Sequence, residues 1–189
     1  MTVNLIKGQN VPVDSGLKLV RVGLGWSPRR ESGDDFDLDA SVFLLGESGK
    51  VRSDADLIFY NQPKSQCLSV VYNGDNRTGE GEGDDETIDV DLSRVPADVA
   101  RIVFTATIYK SIERRQNFGM VDDAYIRLVD ADTNTEQIRF ELTEDACVND
   151  SLVFAELYRR NGAWKFRALA QGFNGGLGAL AKSFGVNVN

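Results

Sequence analysis

The chain has 189 residues, 42% of them apolar, with 29 acidic and 21 basic residues, a net charge of −8 and no histidine. That length supports one hydrophobic core, so a single domain over residues 1–189 is expected, and no apolar run approaches the roughly 18 residues of a membrane span. The charge excludes nucleic acid as a partner, because the basic pairs at 29/30, 114/115 and 159/160 are too short to track a phosphate backbone, and the missing histidine excludes Ser-His-Asp and Cys-His catalysis and His-ligated metals.

Most of the chain reads as short strands between turn-rich loops. Residues 16–26 alternate at period two. A loop follows, and residues 34–45 resume the alternation, with Phe36, Leu38, Ala40, Val42 and Leu44 on one face. Residues 56–61, 67–72 and 87–92 predict three more strands. Residues 101–109 (RIVFTATIY) are rich in β-branched and aromatic side chains and predict a central strand. Residues 111–118 predict one or two helical turns. Residues 124–130 and 137–142 form an expected hairpin around Asp132, Thr133 and Asn134. Residues 151–160 and 163–171 form another around Asn161 and Gly162, a pair suited to a type I′ turn. Residues 176–184 predict a short terminal helix. About ten strands without regular intervening helices predict a mainly β protein, an antiparallel sandwich with short helices near 111–118 and at the C-terminus.

The acidic residues are concentrated. The segment 73–86 (NGDNRTGEGEGDDE) holds Asp75, Glu80, Glu82, Asp84, Asp85 and Glu86, with the amides of Asn73 and Asn76 and only Arg77 as a cation. Like charges at ~4 Å cost about 1 kcal/mol per pair in water, so a neutralising cation is expected. Glycines at 74, 79, 81 and 83 allow a tight wrap with carbonyls turned inward. Calcium takes six to eight oxygens from such donors. A second cluster comprises Asp34, Asp35, Asp37 and Asp39. In a strand, Asp35, Asp37 and Asp39 project from the same face. Asp54 and Asp56 repeat the pattern, and strand starts meeting at one end of the sandwich would share metal with the glycine loop.

Other motifs fail on their own requirements. Asp35, Asp37 and Asp39 have EF-hand spacing, but Ala40 stands where the loop needs glycine and Gly46 where it needs a bidentate glutamate. Residues 176–181 fit G-x-G-x-x-A, but the dinucleotide reading needs a further strand and an acid about 20 positions on. A crowd of acids is a better metal cage than a catalytic pair with two distinct pKa values. The expectation is therefore a binding module and not an enzyme, with a metal-dependent hydrolase using the loop carboxylates as the alternative. Cys67 and Cys147 form neither a CxxC pair nor a disulfide framework, and read as reduced cytosolic thiols. The first ten residues carry no secretory pattern, which also predicts a cytoplasmic location.

GLGW at 23–26, DDFDLDASVFLL at 34–45, DLIFYNQ at 56–62, GDNRTGEGEGDDE at 74–86, RRQNFG at 114–119 and NGAWKFRALAQGF at 161–173 together resemble the tellurium-resistance TerD family over nearly the whole chain. The full RRQNFG segment brings it closer to the TerD branch than to the TerZ branch. The resemblance implies a calcium-binding β-sandwich with two metal sites in adjoining acidic loops. Asp35, Asp37, Asp39, Asp56, Asp75, Asn76, Asp84, Asp85 and Glu86 fall on the family's acidic motifs. It also implies bacterial resistance to tellurite, phage and pore-forming colicins, with TerC-type membrane and TerB-type proteins as partners at the inner membrane surface. Tyr72 stands where members often have histidine before GDN, and CLSV at 67–70 replaces a more polar stretch.

Overall fold

The computed structural model describes residues 1–28, 32–74, 83–142 and 148–188. Among these residues lie twelve strands: β1 (Val3–Leu5), β2 (Asn10–Pro12), β3 (Leu19–Gly25), β4 (Leu38–Leu45), β5 (Leu57–Ile58), β6 (Val70–Tyr72), β7 (Glu86–Asp91), β8 (Arg101–Ile108), β9 (Tyr125–Asp130), β10 (Thr135–Glu141), β11 (Ser151–Arg160) and β12 (Ala163–Phe173). Two helices complete them, α1 (Ser111–Arg114) and α2 (Gly176–Ser183). The first sheet runs β1-β10-β9-β3-β7-β6 and the second β2-β12-β11-β8-β4-β5. Pairing is antiparallel except between β1 and β10. The three-residue strands β1 and β2 were not expected, because a pattern that short carries no period.

Alternation explains the first sheet. Val20, Val22 and Leu24 of β3 point inward with Ile88 and Val90 of β7, and Ile126 and Leu128 of β9. The second sheet adds Val42, Ile102, Phe104, Phe154 and Phe166, making one continuous core. The central strands of that sheet are apolar on both faces for a separate reason. Phe43, Leu45, Val103 and Val153 point outward, where Leu180 and Ala181 of α2 cover them. Leu180 is fully buried, which contributes about 1.5–3 kcal/mol. Asp150 secures the start of α2: its carboxylate accepts from the N–H groups of Gly175 and Gly176 at 3.1 and 3.3 Å, and from the hydroxyls of Ser111 and Ser151. Burial opposes its charge, yet these donors, Ser151 foremost, hold its carboxyl below the usual range.

Two expected features stand as read. The β11–β12 hairpin turns at Asn161 and Gly162, both with positive φ (52° and 76°). The β9–β10 hairpin turns across residues 131–134.

The acidic start of β4 differs from expectation. The strand begins at Leu38, and residues 34–37 lie outside the sheet. Asp35 and Asp37 therefore do not share a strand face with Asp39.

Candidate functional site

Two glycines in β3 shape the outer face of the first sheet. A side chain at Gly23 would collide with the Asp84 carboxylate, and one at Gly25 would collide with the Tyr125 ring. GLG thus marks close approach of side chains to backbone. In the space over Gly23, Asp84 takes a two-pronged ion pair from Arg127, with Nε–Oδ1 2.7 Å and Nη2–Oδ2 3.0 Å. The Tyr125 hydroxyl donates to Asp84 Oδ1 at 3.0 Å, and Arg127 also reaches Glu136 at 3.0 Å. The Asp84 side chain is 7% exposed. Burial, then the negative field of Asp84, pushes the Tyr125 phenol up to about 12. Arg139 lies over the Tyr125 ring, 3.9 Å from its centroid.

The segment 34–37 is held differently. Its four carbonyls accept from donors on three parts of the chain. Gln116 Nε2 donates to Asp34 O at 2.7 Å and to Asp35 O at 3.2 Å. Arg114 Nη1 also reaches Asp35 O at 3.3 Å. Trp26 Nε1 donates to Phe36 O at 3.1 Å, and the Tyr109 backbone N–H to Asp37 O at 2.8 Å. Leaving the sheet costs this segment its ladder partners, and these donors replace them. Phe36, 3% exposed, plugs the segment into the core.

Trp26 joins the two acidic regions. While its ring donates to Phe36 O, its backbone N–H donates to Asp85 Oδ2 at 2.9 Å. A second tie runs between the sheets: Glu86, 1% exposed, accepts from the Ala40 N–H at 3.3 Å. Asp85 and Glu86 thus stand at the same end of the sandwich as Asp35, Asp37 and Asp39. Asp84, beside them in sequence, is turned onto the outer face.

Asp56 is elsewhere: the strand starts at Asp39 and Asp56 do not meet at one end of the sandwich, the condition on which they would share metal. Leu57 pairs with Phe43, so Asp56 lies level with Leu44, about 17 Å along β4 from Asp39. There it is 5% exposed and engaged by Arg52, whose guanidinium reaches both carboxylate oxygens at 2.8 and 2.9 Å. Asp54 accepts from Asn187. Asp75, Asn76, Glu80 and Glu82 lie outside the described residues, as does Cys147. Cys67 is a free thiol hydrogen-bonded with Ser65 and Ser69 at 3.4 and 3.0 Å.

The donor set at the Trp26 end is oxygen only, as a hard cation requires. The buried Oε1 of Gln116 adds an acceptor with no hydrogen-bond donor among the described residues, on the side chain that clamps Asp34 and Asp35. The residues present therefore fit calcium in chemistry. Among the described residues, no three His, Cys, Asp or Glu side chains converge closely enough to hold a metal ion. Sequence reasoning missed Trp26, Gln116, Tyr125 and Arg127 as organisers of these acids.

A family model for the TerD domain matches residues 1–184. The chain belongs to the TerD family. Over their full lengths it is 53% identical to the tellurium resistance protein TerD of Alcaligenes sp. and 48% identical to general stress protein 16U of Bacillus subtilis. A crystal structure of a telluride resistance protein homologue from Streptomyces coelicolor A3(2) superposes with a TM-score of 0.69 over 88% of this chain and 96% of that one, at 22% identity, a likeness of fold. The chain is thus a TerD-family protein of the tellurium and stress resistance group. Among the described residues, no helix is long and apolar enough to cross a membrane.

Proposed function

We propose that this TerD-family protein is a cytoplasmic calcium-binding module, not a catalyst, which serves stress resistance by docking partner proteins at the inner membrane surface. The observation that supports this reading is the junction at Trp26, which ties the 34–37 segment to Asp85 at one end of the sandwich. Asp35, Asp37, Asp39, Asp85 and Glu86 would supply carboxylate oxygen there, and Asp75, Asn76, Glu80 and Glu82 would complete the shells of two ions. Asp56 and Asp84, each engaged by an arginine, are not ligands in this reading. The partners would be the TerC-type membrane protein and TerB-type protein associated with the family, met by an end that calcium orders and partly neutralises.

Calorimetry with calcium and with magnesium, beside melting in calcium and in chelator, tests it. Two calcium sites with selectivity over magnesium are expected. A ligand bound only to the native state adds about 2.7 kcal/mol at ~100 times Kd, so the protein should melt lower in chelator. An unchanged Tm in chelator, or equal affinity for magnesium, would overturn the calcium assignment. Equal recovery of partners from membranes in calcium and chelator would leave any bound calcium a structural ion only.

A further inference from the structure

The segment that clamps the acidic carbonyls also presents a bulky apolar side chain to solvent. Ile112 is 82% exposed, and Tyr109 beside it is 46% exposed. They sit on the turn that leads from β8 through α1, where Lys110 and Arg115 both take left-handed backbone conformations (φ 52° and 51°) that push the turn outward. Lys110 and Arg114 approach the Tyr109 ring at 5.5 and 5.6 Å from its centroid. Over residues 109–115 three cations face one carboxylate, Glu113, in a chain of net charge −8. Behind this tip lies a cleft of about 340 Å³ lined by Tyr60, Tyr109, Ile112 and Leu177.

An exposed isoleucine and tyrosine ringed by lysine and arginine match an anionic lipid surface. The apolar side chain enters the headgroup boundary, the tyrosine sits at its level, and the cations remain in the field of the lipid phosphates. Each lysine or arginine near such a surface strengthens attraction about fivefold. Burying one isoleucine adds about tenfold or more. The acidic segment works against this. Arg114 and Gln116 bond directly to the backbone carbonyls of Asp35 and Asp34, so the acidic segment stands beside the tip and its negative charge opposes the same surface.

We propose that residues 109–115 form a lipid-docking tip that seats on an anionic bilayer once a divalent cation neutralises the neighbouring acidic segment. The metal dependence rests on the calcium reading above; the lipid contact rests on Ile112, Tyr109 and the cations.

The test is flotation of the full chain with protein-free vesicles of phosphatidylcholine alone or with phosphatidylserine, in calcium or chelator, beside calorimetry of calcium binding. Wild type should float with phosphatidylserine vesicles in calcium and stay behind with neutral ones. Ile112→Ser should lower partitioning about tenfold, and Lys110→Gln with Arg115→Gln at least as far; all three positions are exposed, so folding should be spared. Calcium bound without flotation would overturn the lipid contact and leave the calcium reading standing. Flotation in chelator as well would support the tip and overturn its metal dependence. Wild-type partitioning by Ile112→Ser would overturn the proposal, as would recovery only on membranes that carry proteins, which would assign the tip to a protein partner.

Discussion

Asp84 and the segment 34–37 are equally acidic in the sequence, and the fold treats them in opposite ways. At Asp84 the side chain is held, by Arg127 and Tyr125, in a space that Gly23 leaves open. From Asp34 to Asp37 the backbone is held, every carbonyl by a donor from outside the segment. Asp56 and Glu156 follow the first pattern, the one against Arg52 and the other against Arg101 and Arg167. A buried carboxylate answered by a guanidinium is part of the frame. A segment whose carbonyls are fixed can carry carboxylates outward on a rigid base, which is what a cation site or a recognition surface needs.

The sharpest way to break the comparison is Arg127→Ala. It leaves the Asp84 carboxylate, 7% exposed, with its guanidinium gone. Removing one partner of a buried pair costs about 3 kcal/mol, roughly 10 °C in Tm at this size. Urea unfolding in chelator measures it. A loss below about 1 kcal/mol would make the pair an ordinary screened surface contact and erase the distinction.

Trp26→Phe probes the joint between the two regions. The ring stays apolar and nearly fills its place, but Phe36 O loses its donor at a site where Trp26 is 5% exposed. Leaving that acceptor bare should cost about 1–2 kcal/mol in urea unfolding. If the acids at this end hold calcium, Trp26 is an orienting partner behind the ligands, and calorimetric affinity should fall roughly tenfold. Full stability and full affinity in this variant would show that the indole N–H organises nothing.

The contrast also shows what the sequence could reveal. The strands at 101–109 and 151–171 were legible because β-branched runs and an Asn-Gly turn are local signals. The alternation of DDFDLDA was legible too, but it runs from residue 35 while the strand starts only at Leu38. Period two reports which side chains are buried, and Phe36 is buried as expected. It does not report who satisfies the carbonyls, and here those donors come from Trp26, ten residues before Phe36, and from Tyr109 and Gln116, far along the chain. Asp56 carried a local warning: Arg52 stands four residues earlier and takes its carboxylate. Asp84 carried none, since Arg127 lies 43 positions away. GLG at 23–25 was quoted as a family feature before its use as room for two side chains was visible.

The smallest effect discriminates best, because its sign differs between the two regions. Asp35 is exposed, and what the fold uses is its carbonyl, which Asp35→Asn keeps. In chelator that variant removes one negative charge from a crowded stretch, so stability should hold or rise by about 0.5 kcal/mol. Asp84→Asn in the same buffer should destabilise, because it strips the charge that Arg127 is built to meet. Calcium then separates the roles again. If Asp35 is a ligand, Asp35→Asn loses part of the calcium-induced rise in Tm, whereas Asp84→Asn starts lower and keeps the whole rise. Melting both variants with and without calcium gives the four values. Loss of stability by Asp35→Asn in chelator would mean that its carboxylate, like that of Asp84, belongs to the frame, and the division between held side chain and held backbone would fail at the residue chosen to display it.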